Sequence, residues 1–380
     1  MRLLNSSEQV VISGVGLWTP EHVVTNQELV EALNAYADKF NQQHAAGIEA
    51  GEVKPVMKSD ADFIEKASGI KQRYVYVKDG ILDIDRMRPR IEERADGELS
   101  HQAEIALHAA RKAMAAANKT GSDIDAVVVS CAYTQRAYPA IAIEVQHELG
   151  INGFGFDMLV ACSAATFALH RAYEMVRAGT ARAVLVINPE LVSPQVNYRD
   201  RDSHFIFGDV ATAVIVERKD LASSEHQFDV LGTQAKTLYS NNIRSNFGYM
   251  SRAYDGDPFT ADKLFHQEGR SVFKEVCPMA AEHLAEHLRL HGYQPEDVRR
   301  WWLHQANINM NQLISKKLLG RMPDGDEAPI VLDRYANTAS AGSIIAFNLH
   351  HQDMLPGELG VLCSFGAGYS IGSLLLKKCA

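Results

Sequence analysis

The sequence predicts an α/β protein built from two similar halves. Apolar runs of strand length alternate with amphipathic helical patterns along the whole chain. The segments FGDVATAVIVE (residues 207–217) and FGAGYSIGSLLLKK (residues 365–378) resemble one another, which indicates an internal duplication. Charged and polar residues gather between 217 and 227, so we predict two halves, residues 1–220 and 221–380. Apolar strands that alternate with helices predict sheets covered by helices on both faces.

The first half is predicted to begin with a strand and turn, VVISGVGLWTP. A helix follows from Thr25, with Thr25 as its N-cap and Glu28 completing a capping box. Residues 100–117 have the spacing of an amphipathic helix, and residues 126–133 (AVVVSCAY) that of a buried strand. FDMLVA and AVLVIN are predicted strands on either side of a helix over 164–178. HFIFGDVATAVIVE is predicted to form a strand, a glycine turn and a second strand.

The second half repeats this pattern. VFKEVCPMAAEHLAEHLRLHG is predicted to be helical, WWLH to be a strand, and residues 307–319 to form a further helix. GELGVLCSFGAGYSIGSLLLKK is predicted to form the closing pair of strands around a glycine turn. Residues 41–59 and the charge-rich residues 78–99 are predicted to be insertions.

Composition and charge exclude several classes of protein. The 380 residues include 38 Lys+Arg and 47 Asp+Glu, a net charge of −9, with 46% hydrophobic and 22% charged residues. This is the composition of a globular chain, and the acidic balance disfavours nucleic acid and anionic membranes as partners. No apolar run approaches the ~20 residues of a membrane span, and the N-terminus lacks the apolar core of a signal peptide. We therefore expect a cytoplasmic protein.

Cys162 is a candidate nucleophile. The five cysteines are an odd number and include no C-x-x-C pair, so we expect free thiols, most of them in the core. Cys162 stands between the strand FDMLVA and a helix, at a helix N-terminus, where partial positive charge favours the thiolate. A thiolate there would attack a thioester, although a packed core cysteine is the alternative.

Two further polar residues stand at turns. His304 ends the strand WWLH, at the strand end that commonly faces a ligand crevice, although a hydrogen-bonded structural histidine is the alternative. Asn337 lies in the small-residue loop RYANTASAGS before a helix, and by itself it would be interpreted as a cap or turn residue.

Four motifs occur in a fixed order: DMLVACSAATFAL, LHQANINMNQLI, DRYANTASAGS and SFGAGYSIG. In this order they resemble β-ketoacyl–[acyl-carrier-protein] synthase III, a decarboxylating condensing enzyme of the thiolase fold. The resemblance extends from SGVGLWTPEHVVTN to the last strand. It implies two duplicated α/β halves in a layered α-β-α-β-α body and a homodimer, and we expect neither metal nor cofactor.

The resemblance assigns a catalytic triad to Cys162, His304 and Asn337. It implies that Cys162 takes an acyl group from a primer thioester, with the backbone N–H groups of Cys162 and Gly368 as the oxyanion hole. Malonyl thioester then loses carbon dioxide, and His304 and Asn337 donate to the enolate oxygen, which leaves the carbanion to attack acyl-Cys162. Phe207 would shield this intermediate from water, with core packing as the alternative.

The resemblance also implies substrate-binding residues. Arg201 matches an arginine that stacks on the adenine of coenzyme A, but Phe63 stands where its partner is usually tryptophan, and Ala67 replaces a second basic residue. Tyr138 matches an aromatic residue that reaches across the dimer and limits acyl-chain length. Asn307, the asparagine of HQAN, is the remaining substrate-binding residue.

A carrier-protein surface is implied at one set of helices. Lys274, Lys316 and Lys317, followed by Arg321, form a local basic face on an acidic enzyme, although a solvated helix face is the alternative. Asn309 replaces a basic residue that the family commonly carries, which weakens the expected binding of the acidic carrier protein.

Two other signals are set aside. His283, His287 and His291 share one helix face at spacings of four residues, and we expect an exposed polar face there rather than a metal site. Cys363 precedes Ser364, the position where degradative thiolases carry a second cysteine, so its side chain should point away from the site and thiolysis is disfavoured.

The predicted function is therefore a decarboxylative condensation of fatty acid biosynthesis. Its substrates would be an acyl-CoA primer, medium-chain rather than acetyl because the entrance residues and insertions differ, and malonyl-acyl carrier protein. Two alternatives stay open: a thiolase-fold acyltransferase or condensing enzyme of secondary metabolism, and a silent subunit that binds an active partner.

Overall fold

The computed structural model describes residues 9–257 and 260–380. Its strands are β1 (Val10–Trp18), β2 (His22–Thr25), β3 (Gln72–Val75), β4 (Ala126–Cys131), β5 (Phe154–Leu159), β6 (Ala183–Glu190), β7 (Val210–Arg218), β8 (Phe228–Ser240), β9 (Ile243–Ser245), β10 (Phe265–Gln267), β11 (Val298–Leu303), β12 (Leu359–Gly366) and β13 (Gly368–Lys378). Its α-helices are α1 (Asn26–Gln43), α2 (Ala45–Glu49), α3 (Ala61–Ser68), α4 (His101–Ala116), α5 (Ile141–Glu148), α6 (Ala164–Arg177), α7 (Gly269–Leu290), α8 (Ile308–Leu319), α9 (Leu332–Tyr335) and α10 (Gly342–Leu349).

Nine strands of the described residues form one mixed sheet in the order β11-β12-β13-β8-β1-β7-β6-β4-β5. Its two parts meet at β1 and β8, which pair only at Val11 with Asp229 and at Ile12 with Phe228. Outward from this junction, both parts have two antiparallel pairings followed by a parallel one. β7 ends at Arg218 and β8 begins at Phe228, so the predicted boundary near residue 220 falls in the connection between the parts.

The helices lie in three layers around the two parts of the sheet. α6 and α10 pack between the parts, and their apolar residues share one core cluster with β4, β6, β7 and β12. α4 and α5 cover the outer face of the first part, and α7 and α8 cover that of the second. This order, helix–sheet–helix–sheet–helix, is the predicted one, and the apolar strands are buried because helices cover both of their faces.

Local signals set the helix starts that position these layers. The Thr25 hydroxyl accepts a hydrogen bond from the Glu28 N–H (3.2 Å) and the Glu28 carboxylate accepts one from the Thr25 N–H (2.8 Å), which is the predicted capping box of α1. The Ser100 hydroxyl likewise accepts from the Ala103 N–H at the start of α4.

Residues 204–206 do not form the predicted strand. Phe207 makes a single β-bridge with Asn337, and the residues before it turn because the buried Arg73 guanidinium donates to the Phe205 carbonyl (2.9 Å). The predicted insertion 41–59 contains the end of α1, all of α2 and a segment held to α1 by Asn34 and Asn41. Residues 78–99 contain neither helix nor strand.

The expected exposed histidine face on α7 is wrong for His283 and His287, whereas His291, which follows the helix, is exposed. His283 and His287 are only 4% and 2% exposed, because this face of α7 lies against β13. The Ser373 hydroxyl oxygen lies 2.9 Å from His283 Nε2 and 2.8 Å from His287 Nδ1, so the hydroxyl donates to one ring and accepts from the other. The described residues bring no three His, Cys, Asp or Glu side chains into a metal-binding arrangement. Among residues 9–257 and 260–380, none of the helices has both the length and the apolar character of a membrane span.

Acid should destabilise the fold through these histidines. Burial lowers the pKa of His283 to about 4 and that of His287 to about 3. An unfolded histidine titrates at about 6.5, so the unfolded chain binds more protons than the native chain between about pH 6.5 and 4. The free energy of unfolding therefore decreases as the pH is lowered through that window. In His287→Asn, the slope of unfolding free energy against pH, from urea titrations, should become shallower by up to about 1.4 kcal/mol per pH unit. Equal slopes in the variant and the parent protein would contradict this.

Candidate active site

Cys162 lies in a 3₁₀ turn, Ala161–Ser163, that joins β5 to α6. Ala161, immediately before it, has φ 44°, a left-handed conformation that costs an alanine about 1 kcal/mol or more. The chain reverses so tightly here that the Cys162 side chain meets the end of β12. A Cβ atom added to Gly366 would lie 2.5 Å from Cys162 Cβ and 3.1 Å from its Sγ, so only glycine fits at this contact.

The thiol is buried and protonated. Burial, followed by the charge of Glu190, raises the pKa of Cys162 to about 12, while the backbone N–H groups of Ala367 and of Cys162 itself act in the opposite direction. Burial therefore opposes the thiolate that the helix N-terminus is expected to favour. Two backbone N–H groups lie at the thiol, those of Cys162 and Ala367. The resemblance implied Gly368 as the second N–H donor, but Gly368 lies one residue further along the chain and is exposed.

His304 follows the last residue of β11 and is only 2% exposed. Its ring packs edge-on against Phe365, with 5.2 Å between centroids and an interplanar angle of 88°. Burial lowers the pKa of His304 to about 4, so the imidazole is neutral at physiological pH. Its Nδ1 has no hydrogen-bond partner among the described residues. A neutral ring in this position can donate one hydrogen bond and accept another.

The backbone of Asn337 is held on both sides by hydrogen bonds to the segment 206–208. Its N–H donates to the Ile206 carbonyl (2.9 Å), and its own carbonyl accepts from the Gly208 N–H (3.1 Å). The side-chain oxygen Oδ1 accepts from the Ala339 N–H (2.9 Å). Because Oδ1 is held in this way, the amide nitrogen Nδ2 is left as the donor that Asn337 can offer to a ligand.

The end of β12 brings these residues together. Phe365 packs against His304, and the next residue, Gly366, faces Cys162. The Cys162 turn also packs against the 3₁₀ turn Ala339–Ala341, which follows Asn337. The three predicted catalytic residues therefore converge from three separate loops onto one buried site.

Phe207 lies beside this site through its bridge with Asn337. Its ring is buried and packs perpendicular to Phe265, with 4.6 Å between centroids.

Cys363 is buried in the core cluster beneath α7 and α8, while the Ser364 hydroxyl lies 2.8 Å from the Ser343 hydroxyl. The two neighbours on β12 thus face opposite sides of the sheet, as alternation along a strand requires.

Sequence reasoning missed Glu190, the last residue of β6. Its carboxylate is fully buried and accepts hydrogen bonds from the Ala132 N–H (3.1 Å) and from the N–H (3.1 Å) and hydroxyl of Ser340. Burial raises the pKa of Glu190 to about 7, the charge of Asp209 adds to this effect, and the hydrogen bonds oppose it. A charged residue ending the apolar run AVLVINPE was the only signal for it.

Arg201 and Phe63 are in direct contact. The guanidinium carbon lies 3.8 Å from the Phe63 ring centroid, a cation–π contact, and Nε donates to the Lys58 carbonyl (2.8 Å). A flat base between these groups would need about twice this separation, so the pair would have to part to hold an adenine as the resemblance implies.

Asn307 has both ends of its amide engaged within the protein. Nδ2 donates to the Ala67 carbonyl (2.7 Å), and Oδ1 accepts from the Asn309 N–H (2.8 Å) as the N-cap of α8. These hydrogen bonds connect α3 to α8, so Asn307 stabilises the structure in addition to the substrate-binding role that the resemblance implies.

Tyr138 is 85% exposed, in the loop before α5. β5 is the edge strand of the sheet, and Leu159 on it is 57% exposed. Apolar side chains on an unpaired edge strand are typical of a surface that another chain covers.

The three lysines of the predicted carrier-protein surface are exposed on α7 and α8, which pack side by side. Lys274, Lys316 and Lys317 have no ion-pair partner among residues 9–257 and 260–380. Arg321, in contrast, pairs with Glu327 at 2.7 Å, so its charge is neutralised within the chain.

A cavity of about 1080 Å³ opens between residues 85–98 of the second insertion and the loops 133–136 and 191–199. Gln102 lines it and donates to the Pro189 carbonyl (3.1 Å), one residue before Glu190. Gln102 thus connects the cavity wall to the end of β6, and Cys162, His304 and Asn337 do not line this cavity.

Comparisons with known proteins agree with this architecture. Two family models match the chain: 3-oxoacyl-[acyl-carrier-protein (ACP)] synthase III over residues 156–237, and its C-terminal domain over residues 288–378. The β-ketodecanoyl-[acyl-carrier-protein] synthase of Pseudomonas aeruginosa is 55% identical over 349 residues, covering 92% of this chain and 100% of that protein. The chain belongs to the β-ketoacyl-[acyl-carrier-protein] synthase III family. The predicted enzyme class, an acyltransferase that condenses a primer with malonyl-acyl carrier protein in fatty acid biosynthesis, is thus confirmed.

More distant members of the synthase III family match over similar lengths. The enzyme of Novosphingobium aromaticivorans is 29% identical over 335 residues, 87% of this chain and 94% of that protein. Among solved structures, the synthase III of Aquifex aeolicus has a TM-score of 0.75 at 24% identity and covers 97% of this chain and 99% of its own. The priming β-ketosynthase of the R1128 polyketide pathway has a TM-score of 0.76 at 22% identity, over 97% and 96%. These structures confirm the predicted thiolase fold.

Adding one methyl group at Gly366 should disable the nucleophile of this synthase. In Gly366→Ala, the new Cβ would overlap Cys162, so the thiol should move and the rate of acyl transfer should fall by about a hundredfold. The measurement is the rate at which acyl-enzyme mass appears with an acyl-CoA. Gly325→Ala is the matched control, because its Cβ would meet no atom within 4 Å. Equal acylation rates in the two variants would contradict the contact.

Proposed function

We propose that this synthase extends a medium-chain acyl primer by two carbons through an acyl-Cys162 intermediate. The observation that carries the proposal is that Cys162 and His304 contact consecutive residues at the end of β12, while the turn after Asn337 packs against the Cys162 turn. This arrangement offers a nucleophile and two neutral donors in a buried site, as a decarboxylative condensation requires.

In the first step, Cys162 Sγ attacks the carbonyl carbon of the primer thioester. The tetrahedral oxygen accepts hydrogen bonds from the N–H groups of Cys162 and Ala367, which already lie at the thiol. The bond between the acyl carbon and the sulfur of the donor breaks, and the Cys162 proton leaves with the donor as its free thiol. Because the Cys162 pKa is high, proton loss must accompany the attack rather than precede it.

In the second step, malonyl thioester loses carbon dioxide. His304 and Asn337 Nδ2 donate to the thioester oxygen as negative charge develops on it, and neither donor carries a charge of its own. The enolate carbon then forms a bond to the acyl carbon on Cys162. The carbon–sulfur bond breaks, and the thiolate regains a proton.

The length of the primer is proposed from the site and one relative. The relative from Pseudomonas aeruginosa bears the name β-ketodecanoyl synthase. Since a condensation adds two carbons, a ten-carbon product corresponds to an eight-carbon primer. The altered entrance residues Phe63 and Ala67 and the insertions at 41–59 and 78–99 support a donor site that differs from that of acetyl-primed enzymes.

Further proposals concern partners and location. The unpaired lysines on α7 and α8 are proposed to bind the acidic carrier protein, and the exposed edge of β5 with Tyr138 is proposed to pair in a homodimer. The two halves, residues 1–220 and 221–380, are proposed as the products of duplication. The five free cysteines support a reducing compartment, the cytoplasm.

An acyl-CoA ladder from two to ten carbons tests the intermediate. The intact protein should gain the mass of one acyl group, most rapidly with the eight-carbon chain, and Cys162→Ala should gain none. The measurement is intact-protein mass spectrometry. Adducts that persist in Cys162→Ala would refute the nucleophile, absence of adducts with every chain would favour a silent subunit, and a preference for two carbons would refute the primer.

The division of roles predicts that acylation and decarboxylation separate in variants. His304→Ala and Asn337→Ala should still form acyl-Cys162 but lose carbon dioxide release by about a hundredfold or more, because each removes a donor to the enolate oxygen. Acylation is followed by mass, and release by labelled malonyl-acyl carrier protein. Equal loss of both steps would refute this division.

A further inference from the structure

Glu190 is a buried acid that the proposed mechanism does not use. It is fully buried at the end of β6, and none of the ion pairs among the described residues includes it. An unpaired buried carboxyl group costs several kcal/mol unless hydrogen bonds satisfy it. Here the donors are the N–H of Ala132, which follows β4, and the N–H and hydroxyl of Ser340. The carboxyl group therefore joins the first half of the chain to the catalytic loop of the second.

The loop that Ser340 belongs to needs such an anchor. Ala336, just before Asn337, has φ 57° and ψ −158°, a region that is essentially restricted to glycine, and Ala339 has φ 49°. Conformations of this kind cost about 1–3 kcal/mol each and persist only where the surroundings hold them. The Ala339 N–H in turn holds Asn337 Oδ1 at 2.9 Å. A continuous chain of contacts thus runs from Glu190 through Ser340 and Ala339 to the Asn337 amide.

We propose that Glu190 is a positioning residue for the decarboxylation step, which fixes the Asn337 amide through its hydrogen bonds to Ser340. The inference depends on the proposed roles of Cys162 and Asn337. Glu190 is not assigned to proton transfer, and the hydrogen bonds that it accepts come from Ala132 and Ser340.

The charge of Glu190 has a second effect, on the ionisation of Cys162, which is opposite in sign to its effect on decarboxylation. The ionisable groups around it are Cys162 in the nucleophile turn, Cys131 at the end of β4, and Asp209 before β7. Its negative charge raises the pKa of the Cys162 thiol, so it hinders the nucleophile while it supports the donor. Removing the charge should therefore help thiol ionisation and harm decarboxylation, whereas simple unfolding would harm both.

Glu190→Gln tests the proposal in the full-length enzyme. We expect iodoacetamide to alkylate Cys162 with a pH profile shifted to lower pH, and acyl-Cys162 to form at the parent rate or faster. Carbon dioxide release from malonyl-acyl carrier protein should fall by about a hundredfold, the loss expected when a catalytic group is misplaced. Equal changes in both steps, or an unchanged alkylation profile, would overturn the proposal.

Glu217→Gln is the matched control. Glu217 is also a fully buried acid, near the end of the neighbouring strand β7, and it pairs with Lys119 at 2.8 Å. This variant should lose thermal stability without changing the ratio of carbon dioxide release to acylation. A change of that ratio equal to the one in Glu190→Gln would overturn the proposal.

Ser340→Ala covers the case in which Glu190→Gln does not fold. It removes one donor to Glu190 and keeps the backbone N–H, so carbon dioxide release should fall by about tenfold relative to acylation. An unchanged ratio would overturn the proposal. If the parent enzyme forms no acyl-Cys162, it is the proposed function that fails, and this outcome is recognised before any variant is compared.

Discussion

The contact between the end of β12 and the Cys162 turn is the constraint on which the active site depends. β12 pairs with β11 as far as Cys363 and with β13 as far as Gly366, and its last two residues are buried. Phe365 positions His304, and Gly366 meets Cys162. Two consecutive residues therefore contact the predicted nucleophile and one of its two predicted donors. Positive φ angles at Ala161, Ala336 and Ala339 lie beside Cys162 and Asn337, and such angles persist only where the surrounding packing holds them.

Burial gives the site its electrostatic character. Cys162 and His304 are both neutral because desolvation disfavours their charged forms, and Asn337 cannot ionise. Because none of these three side chains carries a charge, the donors act most strongly where charge appears during reaction. Low polarity also strengthens each hydrogen bond, so the orientation of the donors matters more than how many of them there are. The cost is the raised pKa of the nucleophile.

Much of the fold could be predicted from the sequence, because it depends on local patterns. Capping residues predicted the start of α1 and apolar runs predicted the strands, while the family resemblance supplied the roles of Cys162, His304 and Asn337, which stay predictions. Predictions failed where long-range packing decides the outcome. The burial of His283 depends on Ser373, 90 residues away, and the turn at Phe205 depends on Arg73. Neither contact leaves a signal in the local sequence. Glu190 was missed because its partner Ser340 lies 150 residues away in the chain.

The Arg201–Phe63 contact has a consequence for inhibitor selectivity. The segment before α3 is held to α1 by reciprocal hydrogen bonds from Asn34 to Ser59, and its Lys58 carbonyl accepts from Arg201. A compound that inserts a flat ring at this position must break the cation–π contact, worth about 0.5–1 kcal/mol at an exposed site, and displace the arginine from Lys58. A nucleotide mimic at this position therefore loses part of its binding energy to the separation of Arg201 from Phe63 and Lys58.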